Sequence, residues 1–281
     1  MKLAILTLSA DGLAVARRLA QVLPESAIFV HCSVPDPGGA KTFAGIAEQT
    51  RGLFQEIEGL IYVAPSGVAV RAIAPLLEGK LVDPAVVVVD VRGRFAVSLL
   101  SGHEGGANDL ALQVANALGA EPIVTTTSEA RKTLIVGLGC RRGCPSARIE
   151  AAVRGALERI ARPLAQVRLL ASVDRKAREP GLQEAARSLG IPLRFIAADE
   201  IRASAARFRS SGVVERALGL PAVAEPACLL AGRRTRLLLP RNIIDGVTVA
   251  VAEEGSWSSA SDPAESWTGP TGQSRPSAEA R

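Results

Sequence analysis

Apolar and polar positions along this chain repeat with two periods in turn, one fitting strands and the other helices. Lys2–Leu8 is a short apolar run that predicts a first strand, and after the turn Ser9-Ala10-Asp11-Gly12 the positions Leu13, Ala16, Leu19 and Leu23 fall on one helical face. Ser9 or Asp11 is placed to cap that helix. Strands are then expected at 27–32, 60–64, 86–90, 95–100 and 122–127, with helices at 43–57, 68–77 and 109–118. The run Val86-Val87-Val88-Val89 is apolar without alternation, as in a strand covered on both faces of a parallel sheet. From Lys132 the alternation starts again. Strands are expected at 133–137, 166–172, 193–196, 235–239 and 247–252, and helices at 145–160, 180–189, 198–206 and 221–231. The pattern predicts an α/β protein with mainly parallel open sheets, divided into an N-terminal domain at 1–128 and a C-terminal domain at 132–253. From Glu254 onward Ser, Gly, Pro and Ala dominate without apolar period, and 254–281, with Trp257 and Trp267, reads as a disordered tail.

Composition narrows the class. Hydrophobic residues make up 48% of 281 and charged residues 22%, which fits a globular protein. No apolar stretch is long enough to span a bilayer, and the first residues carry no signal-peptide pattern, so a cytoplasmic protein without membrane association is expected. The four cysteines are scattered and outline no disulfide framework. Charge is uneven: residues 1–128 hold 9 basic against 12 acidic side chains, whereas 129–253 hold 22 against 12, a net of +10. That excess favours an anionic partner. Residues 129–253 contain only Phe195 and Phe208 as aromatics, too few to stack bases, so a small polycarboxylate or phosphate is preferred to nucleic acid.

Candidate chemistry gathers where strands end. Turns rich in glycine or hydroxyls follow strands at 9–12, 65–67, 101–106 and 137–143, and ligands of open α/β sheets bind beyond the carboxyl ends of strands. If the first three share an edge, they share a cleft. None has the dinucleotide or P-loop spacing. The stretch Ser101-Gly102-His103-Glu104-Gly105-Gly106-Ala107-Asn108 carries one of only two histidines, between an apolar run and a helical pattern. His103 there is a candidate general base or hydrogen-bond donor, against the plainer reading of a polar residue tying its own turn. Glu104 either orients the imidazole or stays in solvent, and Asn108 reads as a helix-start hydrogen-bonder. Arg71, after Ser66-Gly67, suits a carboxylate as well as it suits a surface ion pair. His31 ends an apolar strand and reads as structural. Cys140 and Cys144 lack a second pair of ligands, so no metal site is expected. Cys140 lies beside Arg141 and Arg142, which favour its thiolate, while the two arginines are themselves anion ligands.

Three groups of residues carry a family likeness. The stretch from Ser98 to Asn108, the run Ser66-Gly67-Val68-Ala69-Val70-Arg71-Ala72-Ile73-Ala74-Pro75 and Asp83–Asp90 resemble the N-terminal part of the cobalamin-biosynthesis family CbiG, the cobalt-precorrin-5A hydrolases. Val136–Gly143, Glu179-Pro180-Gly181-Leu182 and Gly246–Ala252 resemble its C-terminal part, which is also similar to small CobE-like accessory proteins. The middle segment that many relatives carry is missing, because Thr127 is followed almost at once by the strand at 133. The resemblance implies hydrolysis of the δ-lactone of cobalt-precorrin-5A with release of acetaldehyde, giving cobalt-precorrin-5B by cleavage of a carbon–carbon bond. It implies no cofactor, since the cobalt belongs to the substrate. It assigns catalysis to His103 and Glu104. Substrate binding falls to Ser66, Gly67, Arg71, Ser101, Gly102, Gly105, Gly106, Asn108, Gly139, Cys140, Arg141 and Arg142. Loop N–H groups at 102–106 and at the helix start would hold the oxyanion. The likeness admits other corrin-pathway enzymes and a second copy of the chain as partners. The alternative is a non-catalytic tetrapyrrole carrier.

Overall fold

The computed structural model describes residues 2–204 and 222–255. Its first half is built on a seven-stranded sheet. The strands are β1 (Leu3–Thr7), β2 (Ser26–His31), β3 (Lys41–Phe43), β4 (Gly59–Val63), β5 (Ala85–Val89), β6 (Phe95–Leu100) and β7 (Glu121–Ile123), ordered β3-β2-β1-β4-β5-β6-β7. Helices α1 (Ala10–Ala20) and α4 (Ala107–Leu118) cover one face, packing Ala16, Leu19, Leu110 and Val114 on Leu3, Ile5, Ile61 and Val87. On the other face, α2 (Ile46–Leu53), α3 (Ser66–Ile73) and the residues that follow each pack Phe54 and Ile73 on Leu6, Leu60, Tyr62 and Val86. Both faces of β1, β4 and β5 are therefore dry, which explains their unbroken apolar runs. Ser9 caps α1 through the Gly12 N–H.

Strand direction decides where the site lies. β1 to β5 run parallel, but β6 returns antiparallel along β5, pairing Val89 with Ala96 and Val86 with Leu100, and β7 is parallel to β6. Only residues 90–94 separate β5 from β6. A parallel crossover needs about a dozen residues or more, so so short a link forces a hairpin. The segment expected as one helix over 43–57 divides into β3 and the shorter α2, and the strand expected over 122–127 stops at Ile123, ahead of α5 (Thr127–Ala130).

The second half holds a five-stranded sheet of β8 (Leu134–Gly139), β9 (Val167–Val173), β10 (Leu193–Ile196), β11 (Thr235–Ile244) and β12 (Val247–Glu254), ordered β10-β9-β8-β12-β11. β8, β9 and β10 are parallel, whereas β12 is antiparallel to both of its neighbours. On one face lie α6 (Ser146–Arg159) and α7 (Pro180–Leu189), on the other α8 (Ala198–Ala203) and α9 (Ala224–Leu230). α9 comes so close to β8 that a Cβ on Gly137 would overlap the Ala224 carbonyl. Glu254 belongs to β12 rather than to a tail, and residues 256–281, with Trp257 and Trp267, lie outside the described residues, as do 205–221. No described helix is long and apolar enough to cross a membrane.

Candidate functional site

The glycines of 101–106 serve to close the loop upon itself. Ser101 has a left-handed backbone (φ 55°), and its carbonyl accepts the N–H groups of Gly105 and Ala107, each at 3.1 Å. A Cβ on Gly105 would stand 2.5 Å from the Ser101 Cβ, and one on Gly102 would stand 2.8 Å from Asn108 Oδ1 and from Thr126 Cγ2. Asn108 anchors the loop: its N–H donates to the Gly102 carbonyl at 2.9 Å, its Oδ1 accepts from Ser98 Oγ at 2.8 Å, and its Nδ2 donates to Thr126 Oγ1 at 3.1 Å. The helix-start role expected of Asn108 thus extends to joining β6, α4 and the link between the halves.

His103 projects from this closed loop. It is exposed, makes no hydrogen bond to a described residue, and lines a cavity of about 1060 Å³ between the two halves. Small-molecule sites span roughly 300–1,000 Å³, so this one has room for a large ligand. Glu104 does not orient the imidazole. Its carboxylate accepts from Lys80 Nζ at 3.1 Å, and its own N–H and that lysine hold its pKa below the ordinary carboxylate range. The oxyanion role expected of the whole loop also shrinks. The N–H groups of Gly105, Ala107 and Asn108 are already donated inside it, leaving those of Gly102, His103 and Gly106 without a described acceptor.

The condition for a cleft shared by the first three turns is not met. Because β6 is antiparallel, the 101–106 loop emerges beside the start of β5, at the sheet edge opposite to 9–12 and 65–67. Ser66, Gly67 and Arg71 therefore lie across the sheet from His103. The Arg71 guanidinium folds back over Gly67, 3.5 Å from where a Cβ would stand. Gly139, Cys140, Arg141 and Arg142 are also remote, since they lie at or beyond the carboxyl end of β8 while the cavity abuts the amino end at Lys132 and Thr133. At that far end Glu179 is buried, accepts the Gly143 N–H at 2.7 Å and pairs with Lys176 at 3.1 Å, stitching the two loops together. Cys140 is not activated by its arginines. Burial pushes its thiol up to about 11, opposite to the direction expected. Among the described residues no three His, Cys, Asp or Glu side chains gather as a metal cluster. His31 is structural, its Nδ1 meeting Ser33 Oγ at 2.7 Å and its Nε2 the Ala44 carbonyl at 3.0 Å.

The excess positive charge of the second half is not concentrated in the cavity. Arg94, Lys132, Arg168, Arg194 and Arg233 line it, against Asp109, Glu121, Glu129, Glu200 and Glu254. Several are paired, Arg233 with Glu121 at 2.7 and 2.9 Å and Lys132 with Glu129 at 2.7 Å. Exposed Arg148, Arg154, Arg159 and Arg187 sit instead on α6 and α7. Arg168 and Arg194 stand as single charges inside otherwise apolar strand runs, which marks their presence but not which way they face.

Comparison with known proteins settles the family. The Cobalamin synthesis G N-terminal family matches residues 48–129 and the Cobalamin synthesis G C-terminus family matches residues 134–252. The chain belongs to the cobalamin synthesis G family. Within and around that family it is 42% identical over 127 residues to the cobalt-precorrin-5A hydrolase of Salmonella typhimurium, covering 45% of this chain and 36% of that protein. It is 38% identical over 145 residues to the cobalt-precorrin-5A hydrolase of Priestia megaterium, covering 50% and 38%. It is 33% identical over 128 residues to Protein CobE of Sinorhizobium sp, covering 45% and 83%. These matches span little more than a third of the length of the two curated hydrolases. For a cobalamin synthesis G protein, the cavity between the two matched regions is the concave site to which His103, Gly102 and Asn108 all contribute.

Proposed function

We propose that this cobalamin synthesis G protein hydrolyses the δ-lactone of cobalt-precorrin-5A and releases acetaldehyde, in the cytoplasm and on the oxygen-independent route to the corrin ring. The observation that carries the reading is the free imidazole of His103 on the wall of a cavity of about 1060 Å³. The names of the two curated hydrolases supply the substrate. In this reading His103 takes a proton from water as it attacks the lactone carbonyl. The N–H groups of Gly102 and His103 donate to the developing oxyanion. Collapse breaks the acyl–oxygen bond, giving a carboxylate and a free hydroxyl. That hydroxyl loses its proton, the carbon–carbon bond to the macrocycle breaks, acetaldehyde leaves, and the macrocycle carbon takes up a proton. The cobalt is carried by the substrate, and the reading assigns no cofactor to the protein. Glu104, paired with Lys80, has no direct part in it.

The test is release of acetaldehyde from cobalt-precorrin-5A by the full chain and by His103→Ala. The variant is expected to lose about 100-fold or more in kcat, in line with the usual contribution of a general base. Undiminished release would remove His103 from the mechanism. The alternative weighed from the sequence is a carrier that binds tetrapyrroles without chemistry, and the two curated hydrolase names favour the hydrolase over it. Saturable binding of cobalt-precorrin-5A with no acetaldehyde from the unaltered chain selects the carrier.

A further inference from the structure

The cations best placed to meet an anion near His103 are Arg168 and Arg194. They stand on the adjacent strands β9 and β10, and both line the cavity. The Arg168 side chain is 20% exposed and pairs through Nη2 with Glu254 at 2.7 Å, while its Nε is buried with no hydrogen-bond partner. Arg194 donates Nη1 to the Ala231 carbonyl at 2.9 Å and forms no ion pair with a described residue. Burial lowers its pKa, the carboxylates of Glu200, Glu121 and Glu254 oppose that, and the neighbouring Arg168 adds to it. Two of those acids are already engaged, Glu121 by Arg233 and Glu254 by Arg168 and by the Arg233 N–H at 2.7 Å. Glu200 is exposed, and no described cation pairs with it. A guanidinium presents five donors in a fixed fork. Held half-buried beside a second guanidinium with most donors unused, it is unfavourable unless an acceptor arrives from outside. The acceptor that matches the fork is a carboxylate bound bidentately.

We propose that Arg168 and Arg194 form a carboxylate-binding subsite of this cavity, which seats a peripheral carboxylate of a polycarboxylate macrocycle whose reacting face is turned to His103. The identity of the macrocycle rests on the hydrolase reading; the subsite itself is a statement about carboxylate binding. It takes over the clamping role that the sequence assigned to Arg71, Arg141 and Arg142.

The test uses the full chain and uroporphyrin, a tetrapyrrole with a carboxylate on every peripheral arm, titrated by fluorescence, with turnover of cobalt-precorrin-5A measured in parallel. The unaltered chain is expected to bind uroporphyrin saturably. Arg194→Gln and Arg168→Gln should each weaken binding about 10- to 100-fold, the usual cost of a lost charge-assisted bond, with Arg194→Lys in between. Arg154→Gln, on the exposed side of α6, should bind as the unaltered chain does. In turnover the loss should appear as a raised KM with kcat kept. Where Arg168→Gln loses its circular dichroism, because Glu254 is stranded, Arg194→Gln and Arg194→Lys decide alone. Unchanged binding by Arg194→Gln, or no saturable binding by the unaltered chain, overturns the subsite. Unchanged KM in variants of a chain that releases acetaldehyde sinks the subsite and leaves the hydrolase standing. Weakened binding in variants of a chain that releases none does the reverse.

Discussion

At the scale of the residue, His103 is available because its neighbours hold the loop without it. Asn108 supplies three of the bonds that do so, to Gly102, Ser98 and Thr126. Only the last two pass through its side chain, so Asn108→Ala is expected to cost about 1–2 kcal/mol of stability. It should also cut acetaldehyde release more than it cuts uroporphyrin binding, since Arg168 and Arg194 stay in place. Thermal melts and the two assays check this; full activity at a lowered Tm would show the anchor to be irrelevant to the imidazole. The cysteines behave according to burial. Burial pushes the Cys228 thiol up to about 12 and that of Cys140 up to about 11, whereas Cys32 is exposed. With iodoacetamide at about pH 8, mass spectrometry should find Cys32 alkylated first and Cys228 protected until the chain unfolds, because the thiolate is the reacting form.

At the scale of the element, the decisive feature is the hairpin of β5 and β6. Asp90 builds its turn. Burial works against its ionisation, but Arg94 Nε at 2.9 Å and the N–H groups of Phe95, Arg94 and Arg92 outweigh it, so its pKa is lowered. A depressed carboxyl stabilises the fold above its unfolded value of about 3.9, and that support disappears as pH falls through the folded value. Asp90→Ala should therefore lower stability near neutral pH by about 1 kcal/mol and flatten the acid limb of the stability curve, as followed by denaturant melts over pH. An acid limb as steep as that of the unaltered chain would assign the loss elsewhere. The short link at 90–94 was visible in the sequence, and it forbids a parallel crossover. A shared edge for 65–67 and 101–106 requires β6 to run parallel to β5, and that link rules it out. Most strands and helices were legible because the periods are strong and the β1, β4 and β5 runs are dry on both faces. Lys41–Phe43 was not, since three residues at a sheet edge carry no period. The cavity was legible only through His103 and its loop, because its other wall depends on which half-buried arginines face inward, and no local pattern encodes that.

At the scale of the whole molecule, the two sheets share no main-chain ladder among the described residues, so side chains carry the junction there. Leu112 of α4 packs into the apolar cluster beneath β9 and α9. Arg233 reaches Glu121 across the junction. Asn116, also on α4, donates Nδ2 to the Leu193 carbonyl at 2.9 Å and accepts the Phe195 N–H on Oδ1 at 2.9 Å. These are bonds that a next parallel strand would make, so one amide occupies the middle of the open edge of β10 and stands in the way of strand pairing there. Arg194 lies between the two bonded residues, and the same contact therefore fixes the cation proposed to seat the ligand. Asn116→Ala leaves a donor and an acceptor unmet, at a cost of about 1–3 kcal/mol. It should speed hydrogen exchange at the Phe195 amide while the amides of β1 and β4 remain protected, and it should raise KM by letting β10 move relative to α4. Glu121→Gln is the informative companion, because that ion pair is solvent-facing and its loss should scarcely alter exchange at β10. Continued protection of the Phe195 amide in Asn116→Ala would mean that the two sheets are held by Leu112 and its apolar neighbours, and the geometry of the cavity would then be set by packing instead of by this amide.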